Sequence, residues 1–581
     1  MSNERTIPTT QPTDLVTYTI TVNGDNLPRS ILLTSIVVQN EINHIPVARL
    51  CVSDGDGALN DFEIAGQDPF VPGNKIEIFA GYHSDESSIF QGIVIKQGIK
   101  VRGGSSFLLV ECRDELVKLT AGRQNKYFSG KKDSEVIETI VKSYSLGNSI
   151  AETSVEHKEL VQFDATDWDF IMSRLEANGQ VGIADGGTLT TQAPAMDADP
   201  VLDLLFGATI MEFDSEMDAR DQYQAVTAYS WDYSSQSLLN VPASEPGLEE
   251  TGNITASDLS DVIGLSSYDL RHTGQVPQEE LQAWADAQLL KNRLAKVKGR
   301  VRFQGYAKVK PATILQLDGL GDRVNGKVFV AGVRHDISQG NWVTDAQFGL
   351  SPQWFTSEYS VSTPKAAGML PAVNGLQIGV VTQLKDDPDG EDRIRVRLPV
   401  IDNADQGSWS RIASLDAGDQ RGMFFRPEIG DEVIVGFLND DPRDPIILGM
   451  LNSSQKPAPL KAADENNQKG YFSRSAIQLL FDDDKKSVTL STPGGRSIVI
   501  DDDKKVIRLA DGNGNKIVLN DDGISIESGK ALSLKAGTDI TIQGNNISSK
   551  AQMSWKAEGS TGLELNSSAI AKLKGSIVQI N

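Results

Sequence analysis

Few side chains in this 581-residue sequence are placed for chemistry. The pattern nearest to a nucleotide site is Gly321-Asp-Arg-Val-Asn-Gly-Lys327, which matches the first seven positions of a phosphate-binding P-loop. That loop requires a Ser or Thr next, and behind it a helix whose N-terminus faces the phosphates. Here Val328 follows and the pattern continues as a strand. We therefore predict a hairpin turn and no nucleotide binding.

Three acidic segments could supply ligands to a calcium ion. Asp54-Gly-Asp-Gly57 begins like a calcium loop, but Ala58 and Leu59 stand where the loop needs an acid and a glycine, so a turn is predicted. The triplets Asp482–Asp484 and Asp501–Asp503 are interpreted as solvated turn residues that also discourage lateral aggregation. Calcium binding by these triplets is the alternative.

Asp164, Asp167 and Asp169 form the densest carboxylate cluster outside those turns. They lie at a predicted helix start, where negative charge stabilises the helix dipole by about 0.3–1 kcal/mol. This gives the cluster a structural explanation. A catalytic carboxylate pair is the alternative.

The remaining reactive residue types are scattered. No two histidines have the spacing of metal ligands, and no Gly-x-Ser-x-Gly motif occurs. The two cysteines, Cys51 and Cys112, are predicted to be reduced, packed thiols. The five histidines are His44, His83, His157, His272 and His335. We predict no catalytic residue, no metal site and no cofactor, and therefore a protein that is not an enzyme.

The clearest pattern in the chain is a repeat near its C-terminal end. Phe481-Asp-Asp-Asp-Lys-Lys486 recurs 19 residues later as Ile500-Asp-Asp-Asp-Lys-Lys505 and, weakened, as Leu519-Asn-Asp-Asp-Gly523. Beyond Gly523 the period shortens to eight, with apolar pairs such as Ile540/Ile542. Alternation closed by Gly, Asn, Asp or Ser is typical of very short β-strands.

Such strands cannot close a core within one chain. Each strand has only two inward apolar residues, and its backbone N–H and C=O groups are unpaired along both edges. A single-chain solenoid usually needs about 20 residues per turn, which is more than one unit of eight residues supplies. We therefore predict an intertwined triple-stranded β-helix, a needle built by a homotrimer. The predicted needle core is Val488, Leu490, Ile498, Ile517, Ile526, Leu534, Ile542 and Leu565. Ile577, Val578 and Ile580 are predicted contact residues at the tip.

Upstream of the needle the sequence predicts strands with a few helices. Alternating segments run from residue 15 to about 112, from 222 to 232 and from 300 to 348. Helices are expected after an N-cap at Asp133 or Ser134, at the capping-box pattern Thr166-Asp-Trp-Asp169, and behind Pro277. Residues 234–256, rich in Ser, Glu, Pro and Gly, are predicted as a long loop.

A compact unit of short strands lies between that region and the needle. Arg393-Ile-Arg-Val-Arg-Leu398 alternates strictly, which predicts apolar residues inward and arginines outward in a small barrel such as an OB-fold. The predicted domains are therefore a hub over 1–365, an OB-fold over 366–455, a linker over 456–475 and the needle over 476–581. The fold class is mainly β and multidomain.

Charge and hydropathy limit the function further. The net charge of −24 comes from the first 460 residues, with 39 basic and 64 acidic side chains, whereas the rest carries 16 and 15. An acidic body argues against nucleic-acid binding. No membrane-spanning run and no apolar signal-peptide core occur. We expect cytoplasmic assembly without a signal peptide, followed by delivery in a particle outside the cell or into a target cell.

Several segments resemble the valine-glycine repeat protein G (VgrG) spikes of type VI secretion and other contractile injection systems. The most specific is the block from Phe424 to Gly449, FFRPEIGDEVIVGFLNDDPRDPIILG, preceded by Ser408-Trp-Ser-Arg411. Hub-like similarity is found at Val71–Tyr82, Ile89–Ile93, Phe163–Phe170 and Val328–His335.

The resemblance implies a trimeric plug at the front of a contractile tail. In that family two tube-like β-barrel modules per hub meet the inner tube and baseplate, an OB-fold forms a collar, and the needle pierces the target membrane. Its end receives a PAAR-repeat tip protein, sometimes with effectors. The short segment 452–470 leaves no room for an inserted lysozyme domain, and the chain stops at Asn581 without an effector. We expect a minimal, non-enzymatic form.

Two other functions remain open. A glycan-cleaving β-helix tailspike would need a broad face with paired carboxylates, which a period of eight makes too narrow. A carrier of secreted cargo would use Ile577, Val578 and Ile580 as exposed contacts.

Overall fold

The computed structural model describes residues 15–580. The N-terminal segment used for the signal-peptide prediction, and Asn581, lie outside the described residues. The chain divides into two compact units, with the boundary between Ala372 and Val373. Each unit is described by itself.

The first unit is built mainly from strands, interrupted by helices. Its strands are β1 Val16–Val22, β2 Asp25–Asn26, β3 Leu33–Glu41, β4 Val47–Ser53, β5 Lys75–Tyr82, β6 Asp85–Arg102, β7 Ser105–Arg113, β8 Gln124–Lys132, β9 Gly147–Ser149, β10 Glu156–Ala165, β11 Val181–Asp185, β12 Thr188–Gln192, β13 Leu202–Leu205, β14 Ile210–Met217, β15 Val226–Asp232, β16 Ser237–Pro242, β17 Tyr268–His272, β18 Val297–Gln304, β19 Ile314–Asp318, β20 Gly326–Ser338 and β21 Asn341–Phe348. Its helices are α1 Asp133–Ser143, α2 Asp167–Ala177, α3 Ala256–Ile263, α4 Gln278–Leu294 and α5 Phe355–Glu358. Short 3-10 turns occupy Asp68–Phe70, Glu115–Thr120 and Lys365–Gly368.

One 13-stranded sheet organises this unit, in the order β14-β18-β21-β20-β3-β4-β7-β6-β5-β1-β2, with β13 and β19 attached at β20. Its two halves bury separate cores. Strands β1 to β7 enclose residues such as Ile36, Leu50 and Ile78, whereas the later strands enclose Val301 and Phe348. The antiparallel pairing of β3 with β20 joins the halves. The two cores lie along one continuous sheet, and the division of the hub into two tube-like modules stays a prediction.

Smaller layers pack beside this sheet. Helices α1 and α2 share a core with the two-stranded sheet β8–β10 and the sheet β11-β12-β9. Helix α4 covers one face of the sheet β16-β15-β17 through buried Leu281 and Leu289. Both helix starts at Thr166 and Pro277 are confirmed, because Thr166 accepts a hydrogen bond from the Asp169 N–H and Pro277 precedes α4.

Two local predictions in this unit are wrong. The N-cap of α1 is Lys132, whose backbone N–H is bonded by the Glu135 carboxylate, so Asp133 is already helical. The buried Asp133 side chain accepts hydrogen bonds from Arg174, His157 and Asn178 instead. The segment 234–256 is not a continuous loop, because its residues contribute β16, and α3 begins at Ala256. Its many Ser and Pro residues concealed a strand that pairs with β15.

The second unit begins with a closed five-stranded barrel in the order β22-β23-β24-β28-β27. Its strands are β22 Gln377–Gln383, β23 Ile394–Arg397, β24 Ser408–Ile412, β27 Glu432–Phe437 and β28 Pro445–Met450, with a hairpin of β25 Ala417–Gly418 and β26 Arg421–Gly422 and a 3-10 turn at Leu438–Asp440. Ile394 and Val396 are fully buried, while Arg393 pairs with Asp387 at 2.6 Å. The predicted alternation and the OB-type barrel are confirmed.

The last sheet is an antiparallel meander of seven short strands. These are β29 Gln468–Phe472, β30 Gln478–Asp482, β31 Ser487–Ser491, β32 Ser497–Asp501, β33 Val506–Ala510, β34 Lys516–Asn520 and β35 Gly523–Glu527. The 19-residue repeat is therefore a hairpin rather than a single strand: β30–β31 forms one copy and β32–β33 the next.

The strands predicted beyond Glu527 do not form within one chain. Residues 528–580 contain no strand, and every residue from 529 to 580 is exposed. A strand exists only through hydrogen bonds to a neighbouring strand, and this part of the chain has no such neighbour in its own copy. The strands expected in this segment stay a prediction, since they require neighbouring strands to pair with.

Candidate functional site

The candidate site is the seven-stranded meander, and its turns fix its geometry. Asp482 and Asp501 occupy the same position of the repeat, and each accepts a hydrogen bond from a backbone N–H three residues later, at 3.1 Å from Lys485 and 2.9 Å from Lys504. Both aspartates are buried, whereas the other members of each triplet are exposed. The interpretation of all these aspartates as solvated is therefore wrong for the first member of each triplet.

These turn carboxylates are ionised and held in place. The Gln468 side chain and the Lys485 N–H donate to Asp482 and lower the pKa of its carboxyl, and the Lys504 N–H does the same for Asp501. On the opposite edge, Asn515 and neighbouring backbone N–H groups lower the pKa of Asp511 to about 2. In residues 15–580 no group of three or more metal-ligating side chains is found. The bonds from the backbone N–H groups of Lys485 and Lys504 make Asp482 and Asp501 turn acceptors.

The register of the meander places its apolar side chains on one face. Leu479 lies opposite Leu490, Leu490 opposite Ile498, and Ile498 opposite Leu509. Since successive side chains of a strand point to opposite faces, the whole column shares one side. We call this side the apolar face. Its members are Leu479, Phe481, Val488, Leu490, Ile498, Ile500, Ile507, Leu509, Ile517, Leu519, Ile524 and Ile526.

Within the described residues the apolar face is only partly covered. Its exposed members keep between 37% and 72% of their surface accessible, from Leu479 and Ile517 to Ile524. The other side of the sheet carries Thr489, Arg508 and other polar residues, with a few valines among them. A contiguous exposed apolar surface of this kind is typical of an interaction site.

The predicted needle residues fall into two groups. Val488, Leu490, Ile498, Ile517 and Ile526 all lie on the apolar face. The others lie beyond the last strand, and their inward orientation stays a prediction: Leu534, Ile542 and Leu565 in the core, and Ile577, Val578 and Ile580 at the tip. Seven of the twelve members of the face, including Ile500 and Ile507, were not predicted, although their alternation along the strands was a usable signal.

The other chemistry candidates have structural roles. Gly321–Lys327 connects the antiparallel strands β19 and β20 and contains no helix, so the hairpin prediction is confirmed. Asp54 is buried and accepts backbone N–H bonds from Gly55, Ile64 and Ala65, as expected of a turn. Asp167 at the start of α2 accepts bonds from Tyr144 and Gln162 at 2.6 and 2.8 Å.

A buried polar cluster between the helices of the first unit had no signature in the sequence. Asp133 accepts bonds from Arg174 at 2.7 Å, from His157 at 2.9 Å and from Asn178 at 2.9 Å. Glu280 of α4 accepts a second bond from Arg174 at 3.0 Å. Burial opposes ionisation of Asp133, but the bonds from His157 and Arg174 outweigh it and hold the pKa of that carboxyl well below its usual range. The cluster joins α1, β10, α2 and α4. The side chains of His157, Arg174 and Asn178 donate their hydrogen bonds to carboxylates within the cluster.

Three family models match successive parts of the chain. The model described as Alg8 N-terminal domain matches residues 12–339. The model of the type VI secretion system/phage-baseplate injector OB domain matches residues 377–451. The model of the phage baseplate V C-terminal trimerisation domain matches residues 487–549, which include most of the apolar face.

Individual relatives and one solved structure are similar to the chain over different lengths. The type VI secretion system spike protein VgrG1b of Pseudomonas aeruginosa is 24% identical over 463 residues, covering 72% of this chain and 59% of that protein. VgrG3 of Vibrio cholerae is 34% identical over 109 residues, covering 17% of this chain and 10% of that protein. A tail protein from Neisseria meningitidis is 14% identical, with a TM-score of 0.44, covering 59% of this chain and 98% of that one. The chain spans less than two thirds of the length of the curated relatives VgrG1b and VgrG3.

Proposed function

The chain belongs to the family of VgrG-like spike proteins, and from this premise we propose that it is the structural spike and hub at the tip of a contractile injection system. Residues 1–365 would bind the inner tube and baseplate, and residues 366–455 would form an OB-fold collar. After a linker over 456–475, residues 476–581 of three copies would wind into a needle that pierces a target membrane. In residues 15–580 no helix is long and apolar enough to cross a bilayer itself.

The apolar face carries this proposal. Fully burying a Leu or Ile side chain contributes about 1.5–3 kcal/mol, and these side chains are already about half covered, so each would gain roughly 1 kcal/mol in an interface. Three copies that turn the face toward a common axis would bury all of them together. The trimerisation-domain match over residues 487–549 supports that partner.

A mechanical role explains the architecture of the C-terminal part. Residues 528–580 have no strand partner in their own copy, so their backbone N–H and C=O groups would pair between chains. A chain could then leave the needle only by breaking bonds to both neighbours at once. This gives a shaft that transmits axial force from the hub to the tip.

At the tip, Ile577, Val578 and Ile580 would contact a PAAR-type tip protein, with effectors as further passengers. Ile577 and Ile580 are 82% and 87% exposed in one chain. Deleting residues 552–581 should abolish capture of a purified tip protein, while the shortened chain should remain trimeric and should still bind the inner tube. Capture that survives the deletion would exclude this contact.

The role proposed is not enzymatic. The P-loop-like turn, the Asp54 turn and the carboxylates at α2 all have structural functions in the first unit. Incubation with candidate glycans should release no reducing ends. Release of reducing ends would favour the tailspike alternative.

Native mass measurement tests the proposal. The purified chain should have three times the 62.9 kDa of one copy. A stable, well-folded single-chain species would remove the spike function, because one chain cannot cover its own apolar face.

A further inference from the structure

A partly enclosed cavity of about 210 Å³ lies inside the first unit, where the end of β3 meets residues of α2, α4, β21 and α5. It is smaller than the roughly 300–1,000 Å³ of pockets that hold drug-sized ligands, so it has room for one small group. Ile42, Val181 and Leu290 contribute apolar wall to it. Its polar lining decides which group fits.

The lining includes a buried amide that lacks a partner. Gln180 follows α2 and is 8% exposed, and its side-chain oxygen Oε1 has no hydrogen-bond partner among the described residues. Nearly all buried polar atoms in proteins are paired, because an unpaired buried acceptor costs stability. A donor bound in the cavity would satisfy this oxygen after the carboxamide rotates about its last bond.

Two carboxylates give the cavity a negative charge. Glu41 and Glu358 line it, and within residues 15–580 neither carboxylate pairs with a cation. Glu358 accepts a hydrogen bond from the Ser351 hydroxyl at 2.5 Å. Burial raises the pKa of the Tyr359 hydroxyl, and the charges of Glu358 and Glu41 raise it further. Both carboxylates therefore act on the part of the cavity beside Tyr359.

The two basic side chains of the lining are already engaged. Lys291 is bonded to the Glu176 carboxylate, which neutralises its charge. His44 Nδ1 donates to the Ile42 carbonyl at 2.8 Å, and His44 Nε2 accepts from the Tyr359 hydroxyl at 2.7 Å. The uncompensated charge of the cavity is therefore negative.

We infer that this cavity binds a guanidinium group, held by the carboxylates of Glu41 and Glu358 and by the side-chain oxygen of Gln180. A guanidinium is a planar cation with five N–H donors, which suits carboxylate and amide oxygens, and it stacks on aromatic rings such as that of Tyr359. The group comes either from a free small molecule or from an arginine side chain of another protein. The site lies within one chain and does not involve the needle.

Calorimetric titration of the full-length protein with butylguanidinium tests the inference. Butylurea is the matched control ligand, because it has nearly the same shape and no charge. Charge-assisted hydrogen bonds are about twice as strong as neutral ones, so butylguanidinium should bind at least about 10-fold more tightly. Equal affinities, or no heat of binding from either compound at millimolar concentration, would overturn the site.

Substitutions of single carboxylates locate the bound group. Glu41→Gln and Glu358→Gln should each weaken binding of butylguanidinium by about 5- to 10-fold, because each removes one charge-assisted hydrogen bond. Glu138→Gln is the control, since Glu138 lies on α1, pairs with Lys142 and does not line the cavity. Affinity that is the same in all three variants would assign binding to another surface and overturn the inference.

Gln180→Leu gives a readout that a purely structural side chain would not produce. It removes the unpartnered buried oxygen at nearly constant volume, so the unliganded protein should unfold at a higher temperature. The same variant should bind butylguanidinium at least about 5-fold more weakly, since one acceptor is lost. Lower thermal stability together with unchanged affinity would overturn the role of Gln180.

A capped peptide, acetyl-Gly-Arg-Gly-amide, distinguishes the two sources of the group. Tighter binding of the peptide than of butylguanidinium supports an arginine side chain of another protein, whereas weaker binding supports a free small molecule. Failure of this inference is distinguishable from failure of the proposed spike. A monomeric protein that binds butylguanidinium would overturn the spike alone, and a trimer that does not bind it would overturn the cavity site alone.

Discussion

Substituting Leu490 by Asp should dissociate the trimer. Leu490 sits on the apolar face of β31, between Leu479 and Ile498 in the register, and is 44% exposed in one chain. Losing its burial in the interface removes roughly 1 kcal/mol per chain. The larger effect is the carboxylate, since an unpaired buried ion costs several kcal/mol even after relaxation. Three such carboxylates would meet near one axis.

The neighbouring residue supplies the control. Thr489 is one position away in the same strand, so its side chain lies on the opposite, more polar side of the sheet. Thr489→Asp introduces the same charge at the same height of the needle. It should leave the trimer intact, because Thr489 does not belong to the apolar face that the three copies bury.

Light scattering after size exclusion, at a few micromolar chain concentration, measures both variants. We expect one times 62.9 kDa for Leu490→Asp and three times that mass for Thr489→Asp. Circular dichroism should show that the hub remains folded in both. A Leu490→Asp protein that stays trimeric with wild-type thermal stability would refute the assignment of the face. Equal dissociation of both variants would refute its sidedness.

Further predictions concern the remaining needle, the buried cluster and the response to acid. Leu534→Asp should fray or dissociate the distal needle, and an SDS-resistant trimer of this variant would contradict the inward orientation. Arg174→Ala should lower the free energy of unfolding of the first unit by about 3–5 kcal/mol in urea, because it leaves the buried Asp133 carboxylate without its cation. Lys142→Ala, which breaks an exposed ion pair with Glu138, should cost under about 1 kcal/mol. Equal effects of the two substitutions would refute the stabilising role of the cluster. Burial lowers the pKa of His335 to about 4, so the unfolded chain takes up this proton first as the pH falls. Stability from this group is complete above about pH 6.5 and falls by about 3 kcal/mol as the pH drops to about 4, and His335→Gln should flatten that dependence in thermal unfolding; an unchanged slope would contradict it.

The local patterns in the sequence identified the elements that have strong periodicity. Strict alternation in Arg393–Leu398 predicted the barrel interior because a strand side chain has only two directions to choose from. The starts at Thr166 and Pro277 were visible because capping depends on residues within one helical turn. The strand β16 within residues 234–256 was not predicted. The polar composition of that segment favoured a loop, and the strand forms there because it pairs with β15.

Some features of the candidate site were also predictable from the sequence, whereas others depended on the tertiary structure. The repeat alone determined that the segment up to Glu527 forms short alternating strands with one apolar side, because turn residues and alternation are local properties. Only the tertiary structure decided that the 19-residue unit is a hairpin, that Asp482 and Asp501 are buried turn acceptors, and that Ile500 and Ile507 join the same face. It alone brought Asp133, His157 and Arg174 together from separate elements. The physical reason is that hydrogen-bond register and burial depend on which segments become neighbours, and a linear sequence does not state those distances.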